Sequence, residues 1–171
     1  MSLHNPRRVQ AKTIVSLFPG IHLRKLQKLL GTSFSTTRYY VENLERDGEI
    51  VRLKDGGYDR LYPVGTPDEM KAVYAVLQSR TARRILRALG EGGEHELTNG
   101  RLSERLHLPR STLSEYVMEL GRVNLVRRSL GPDGRVLYGV RDREEVSRLL
   151  AALDRNALDA AADGFIELWD L

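Results

Sequence analysis

Two short segments hold the side chains best suited to hydrogen-bonding a polyanion. They are Phe34-Ser35-Thr36-Thr37-Arg38-Tyr39 and Arg110-Ser111-Thr112-Leu113-Ser114-Glu115. Ser and Thr hydroxyls at a helix start donate to phosphate oxygens, and the free N–H groups and positive dipole end add to that attraction. The planar guanidinium of Arg38 or Arg110 matches the paired acceptors of a guanine edge, and the Glu115 carboxylate matches a cytosine amine. Further cations follow each segment: Arg52, Lys54 and Arg60 after the first, and Arg127, Arg128 and Arg135 after the second.

Catalytic chemistry has no comparable constellation. The chain has no cysteine, which removes thiolate nucleophiles, disulfides and sulfur-based zinc sites together. His95-Glu96 opens a metalloprotease-like pattern, but Asn99 stands where a second His is required. His4, His22 and His107 have no metal-ligand spacing to one another. No phosphate-binding loop, dinucleotide glycine fingerprint or nucleophile elbow is present. The expectation is a protein without enzymatic activity or cofactor.

The elements that must position these side chains follow from hydrophobic period. Thr37, Tyr40, Val41 and Leu44 form an i, i+3, i+4, i+7 stripe, as do Leu113, Tyr116, Val117 and Leu120. Burying each stripe turns Phe34, Ser35, Thr36, Arg38, Tyr39 and Glu42 outward on one helix. On the other, Arg110, Ser111, Thr112, Ser114, Glu115 and Met118 turn outward.

Upstream, Asn5-Pro6 reads as a cap followed by Pro in the first helical turn, and Pro19-Gly20 stops that helix. Leu23, Leu26, Leu29 and Leu30 give the second helix its apolar side. Downstream the period falls to two. Ile50–Lys54, the turn Asp55-Gly56-Gly57 and Tyr58–Val64 predict a β-hairpin. Three helices and a hairpin make a winged helix-turn-helix, whose third helix fits the major groove while the second braces it.

The plan occurs twice. At an offset of 76, ten of the 33 pairs from Leu30/Leu106 to Tyr62/Tyr138 are identical, against about two by chance. They include Ser35/Ser111, Thr36/Thr112, Tyr40/Tyr116, Leu44/Leu120, Arg52/Arg128, Leu61/Leu137 and Tyr62/Tyr138. In the second copy, 68–78 predicts a linking helix, and Arg80–Leu89, Leu97–Leu106 and 109–121 predict the three helices. The second wing is expected over Val126–Ser129 and Arg135–Val140, with Tyr62 and Tyr138 in the wing cores.

The fold class read here is mainly α with small β-hairpin wings. It comprises one winged helix-turn-helix domain over 1–65, a linking helix and second domain over 66–140, and a C-terminal amphipathic helix over 141–171. On that last helix Val146, Leu149, Leu150 and Leu153 make a stripe that Leu158, Ala161, Phe165 and Trp169 continue. Its expected use is pairing with a second subunit to form a homodimer.

Charge follows the same division. Residues 1–64 hold 11 Lys/Arg against six Asp/Glu, 65–140 hold 12 against nine, and 141–171 hold four against eight. A basic body with an acidic tail suits a polyanion on the body alone, and double-stranded DNA is the expected partner. Glu42 and Glu45 lie along the first presumed recognition helix, and Glu49 stands where the second copy has Leu125. One of the two domains is therefore expected to bind weakly or to serve in dimerisation or sensing. The chain is 41% hydrophobic and 29% charged. No run reaches the ~18 apolar residues that span a bilayer, so a cytoplasmic, membrane-free protein is expected. The alternative is a tandem winged-helix scaffold that binds other proteins without specific DNA binding.

The sequence resembles archaeal predicted transcription regulators with two winged helix-turn-helix domains, within the broad MarR/ArsR-like group. The segments that carry the resemblance are Asn5-Pro6-Arg7-Arg8, Pro19 to Leu26, Tyr39 to Gly48, Leu108 to Val117 and the closing Asp163 to Trp169. It departs from the group at Tyr39-Tyr40, where Tyr-His is frequent, and at Gly48-Glu49-Ile50, where Gly-Leu-Ile is frequent. The resemblance implies a cytoplasmic transcription regulator that dimerises.

Overall fold

The Asn5 side chain accepts a hydrogen bond from the Arg7 amide at 3.0 Å and so starts α1, Pro6–Leu17, with Pro6 in the first turn. The computed structural model describes residues 5–92 and 96–165. After α1 come β1 (Ile21–His22), α2 (Leu23–Leu30), α3 (Phe34–Arg46), β2 (Ile50–Asp55), β3 (Tyr58–Pro63) and α4 (Asp68–Leu77). The same order then recurs as α5 (Arg80–Glu91), β4 (Leu97–Thr98), α6 (Asn99–Leu106), α7 (Arg110–Arg122), β5 (Val126–Leu130) and β6 (Val136–Val140). The final helix is α8 (Arg143–Ala162). No described helix is long and apolar enough to cross a membrane.

The chain divides into two compact units, Met1–Ala75 with Leu153–Leu171, and Val76–Ala152. In the first, α1, α2 and α3 close around Ile14, Leu26, Val41, Leu44 and Leu61, all fully buried. The expected stripe on α3 is buried throughout. Thr37 is tolerated there because its hydroxyl donates to the Ser33 carbonyl at 3.0 Å. In the second unit Leu113, Val117 and Leu120 of α7 are buried, while Tyr116 is only partly so.

Four features differ from the sequence expectation. The first is sheet size: each unit has a three-stranded antiparallel sheet, ordered β1-β3-β2 and β4-β6-β5, rather than a bare hairpin. The added strands are two residues long, too short to show a period.

The second is register. Ile21 pairs with Leu61 and Leu97 with Tyr138, so the offset is 76 on the first strand and 77 on the last. The second wing turn therefore carries one more residue. Tyr62 is buried, whereas Tyr138 is its counterpart only in sequence and is half-buried.

The third is the boundary between units. The Tyr62 hydroxyl donates to the Lys71 carbonyl at 3.1 Å, which ties most of α4 to the first unit rather than to the second. The fourth is the tail. Val146, Leu150 and Ala160 are buried within the chain, Asn156 Nδ2 donates to the Leu17 carbonyl at 3.1 Å, and Phe165 packs against the first core. Part of the stripe expected to meet a second subunit, Val146 and Leu150, is thus buried within the chain, while Leu149, Leu153 and Ala161 are half-buried. Leu158 remains exposed, and Trp169 lies outside the described residues.

One polar cluster is built into the first unit. The Arg8 guanidinium, 9% exposed, lies 2.7 Å from Asp47 and 2.6 Å from Glu49, and Lys12 also pairs with Glu49. Hydrogen bonds from Lys12 and Arg8 hold the Glu49 carboxyl below its ordinary 4.5. The position that Leu125 fills with a buried apolar side chain is here an ion pair fixing α1 to the α3–β2 turn. Removing one partner of such a pair leaves an uncompensated charge.

Arg8→Met is expected to cost ~2–4 kcal/mol in urea unfolding at pH 7. Because Glu49 is depressed in the folded state, its contribution is complete above 4.5 and is lost as pH falls through the native value. The difference between wild type and variant should narrow on acidification below 4.5; a constant difference contradicts the assignment.

Candidate nucleic-acid interface

In the second unit, burial of Leu113, Val117 and Leu120 turns Arg110, Ser111, Ser114, Glu115 and Met118 to solvent. Thr112 is half-covered. The N-terminus of α7 has no side-chain cap, because Pro109 occupies the N-cap position. Its first amides therefore keep their donors for an outside acceptor.

The Arg110 guanidinium lies over Gly100 of α6, where an added Cβ would stand 3.4 Å from Nη2. Arg110 and Arg128 form no ion pair with any described residue. Ser114, expected to contact the partner, fastens the two helices. Its hydroxyl donates to the Arg110 carbonyl at 2.9 Å and accepts from Asn99 Nδ2 at 2.8 Å.

The second wing holds three exposed arginines. Arg127 lies 2.9 Å from Glu96, and Arg135 pairs with Asp133 at 3.3 Å while staying 74% exposed. Side chains alternate along β5, so Arg127 and Arg128 leave opposite faces of the ribbon.

The first unit has the same frame and different electrostatics. Ser33 caps α3 by accepting from the Thr36 amide at 3.1 Å, and its hydroxyl also meets Ser35 at 3.0 Å and Thr36 at 2.8 Å. The hydroxyls expected to reach phosphate are thus part of a cap. Arg38 pairs with Glu42 at 3.0 Å, and Tyr39 is exposed. Arg52, 22% exposed, is held by Glu45 and by Asp59 at 3.6 Å, which keeps it firmly charged.

Lys54 reaches the same Asp59 at 3.3 Å. Arg60, 13% exposed, binds Asp55 at 2.5 Å and the Gly20 carbonyl at 3.0 Å. Burial, with the neighbouring Arg60 cation, holds His22 below its ordinary 6.5 and hence neutral at pH 7. Each expected cation of this unit faces a carboxylate.

Sequence reasoning missed Arg24, whose guanidinium sits 4.9 Å above the Phe34 ring at the start of α3. At an offset of 76, Arg24 corresponds to Gly100 and Phe34 to Arg110. Both units therefore place one guanidinium at the junction of their second and third helices, donated from opposite sides. Aligning the two copies for exchanged pairs, as well as for identities, is the signal that reveals it.

Residues 82–129, from α5 to the penultimate residue of β5, match the family model described as the IclR helix-turn-helix domain. The second unit is thus similar, over these residues, to an IclR-type helix-turn-helix. This match supports a DNA-binding transcription regulator. No curated protein matches the chain.

Similar solved structures include reduced HlyU from Vibrio cholerae, 28% identical over 51% of this chain and 86% of that one, with a TM-score of 0.43. The PcaV transcriptional regulator from Streptomyces coelicolor, solved with its natural ligand, is 28% identical over 54% of this chain and 73% of that one, at 0.42. A possible transcriptional regulator from Methanosarcina mazei is 12% identical over 69% and 97%, at 0.39.

The internal bonds of Arg60 predict a structural role for it. Arg60→Ala is expected to lower unfolding stability by ~1–3 kcal/mol, chiefly through the part-buried Gly20 carbonyl it leaves unpaired. Duplex-DNA affinity of the folded variant should stay within about two-fold of wild type. A large affinity loss with unchanged stability would return Arg60 to the interface.

Proposed function

We propose that this chain is a sequence-specific, double-stranded-DNA-binding transcription regulator of two tandem winged helix-turn-helix domains, in which the second unit makes the DNA contact. The observation that carries this reading is the unpaired Arg110 on the uncapped start of α7, in the same unit as the unpaired wing Arg128. An uncapped helix start with a fork of guanidinium donors fits a base edge and its flanking phosphate. A wing with arginines on both faces fits a groove whose two walls are phosphate. The helix-turn-helix match over 82–129 lies on this same unit.

The proposed contacts are Arg110, Ser111 and Thr112 on α7, with Arg127, Arg128 and Arg135 on the wing. The chains act as a homodimer in this reading, with exposed Leu158 and half-buried Leu149 and Leu153 on α8 as apolar side chains for pairing. Two-fold related units would read an inverted repeat.

A second reading, protein scaffolding, is favoured for the first unit by its exposed Phe34, Tyr39, Leu53 and Tyr58 beside neutralised cations. Salt separates the two. Each phosphate contact contributes about 0.9 to the negative slope of log affinity against log salt, whereas apolar contacts are nearly insensitive.

Fluorescence anisotropy with labelled duplex between ~50 and 200 mM salt should show an affinity drop of orders of magnitude for wild type. Arg128→Ala should flatten the slope by about one, and Arg110→Ala should cost ~1–3 kcal/mol at a preferred site. Arg38→Ala, on the first unit, should change neither. A salt-independent interaction, or a larger effect of Arg38 than of Arg110, contradicts the assignment.

A further inference from the structure

The two units fill one place in the wing in opposite ways. In the first, Gly20 opposes Tyr62, whose ring carbon would lie 3.3 Å from a Cβ at position 20. The corresponding pair in the second unit, by the strand registers, is Glu96 and Gly139. There the glycine has moved to the strand, and the Glu96 methylene would lie 3.1 Å from a Cβ at 139. The exchange replaces a buried ring with a carboxylate laid across the backbone of β6.

That carboxylate has two partners, both on β5. Oε1 lies 2.9 Å from Arg127 Nε, and Oε2 accepts from the Ser129 hydroxyl. Arg127 and Ser129 share a strand face, and Arg127 sits opposite Gly139 in the ladder. The Glu96 side chain is only 18% exposed, while Arg127 is 55% exposed. The pair therefore has an anchored end and a free end. With Nε held, the two terminal nitrogens of Arg127 make no bond to a described residue. A guanidinium has five donors in a fixed plane, so fixing Nε orients the other four.

We propose that Glu96 is a positioning residue for DNA binding: it locks the Arg127 guanidinium on the wing so that its terminal N–H groups meet a backbone phosphate. This rests on the DNA-binding reading above and adds to it a residue that touches no DNA itself. Gly139 belongs to the device, since a Cβ there would crowd the Glu96 methylene at 3.1 Å and press it out of its place. Val51, at the position of Arg127 in the first unit, cannot take part in such a pair.

The sign of one substitution separates positioning from plain electrostatics. Removing an acidic group near a polyanion raises affinity if charge alone matters. Loss of positioning lowers it.

Anisotropy with labelled duplex would compare wild type, Glu96→Ala, Glu96→Gln, Arg127→Ala and the Glu96→Ala/Arg127→Ala double variant, each with a thermal melt as folding control. Glu96→Ala should bind about three- to ten-fold more weakly despite the gained positive charge, with Glu96→Gln between it and wild type because the amide still reaches Ser129. The double variant should match Arg127→Ala alone. Tighter binding by either Glu96 variant, or a further loss in the double variant, overturns the proposal while leaving DNA binding intact. Absence of duplex binding by wild type overturns the DNA-binding reading itself, and the proposal with it.

Discussion

The arrangement depends on one stripe: Leu113, Val117 and Leu120 must be buried, and a helix of 3.6 residues per turn then has no freedom over what its opposite edge displays. Arg110, Ser111 and Glu115 face outward because those three face inward. The same constraint acts on α3, where Thr37, Val41 and Leu44 are fully buried. Two helices of equal length and similar inner face therefore offer outer faces that depend on which residues occupy them.

Those outer faces have diverged through exchanges between contacting positions. Arg24 over Phe34 becomes Gly100 beneath Arg110, and Gly20 beside Tyr62 becomes Glu96 beside Gly139. The second exchange keeps one large and one small partner, as a close-packed frame requires, while the first trades two stacked large side chains for one laid over a glycine. A third change, from the ion-paired Glu49 to the buried Leu125, alters how the first helix is fixed. The frame tolerates all three, so surface chemistry can drift while the fold holds. The outcome is a first unit whose four expected cations all face carboxylates and a second unit in which Arg127 and Arg135 are ion-paired while Arg110 and Arg128 are not.

Helices and caps were readable in the chain because their causes are local. Asn5-Pro6 starts a helix within two residues, and four apolar positions at helical spacing declare a buried face. The state of the cations was not readable in that way. Arg52 is held by Glu45 seven residues away, and Arg60 by the carbonyl of Gly20, forty residues away. Such partners exist only once β1, β2 and β3 have formed a sheet.

Arg52, Arg60 and Ser114 have internal partners for that reason, whereas Arg110 and Arg128 are exposed and form no ion pair with a described residue. The slipped register of Tyr138 has a different origin. One added residue in a turn moves every later strand position to the opposite face, and an ungapped repeat alignment cannot register it.

The central claim is that the second unit, and not the first, meets DNA. Amide hydrogen exchange with and without a bound duplex tests it residue by residue across both units at once. Slowed exchange at the start of α7 and along β5 and β6, with α3, β2 and β3 unchanged, is the predicted result. Protection confined to the first unit, or distributed equally over both, would contradict it.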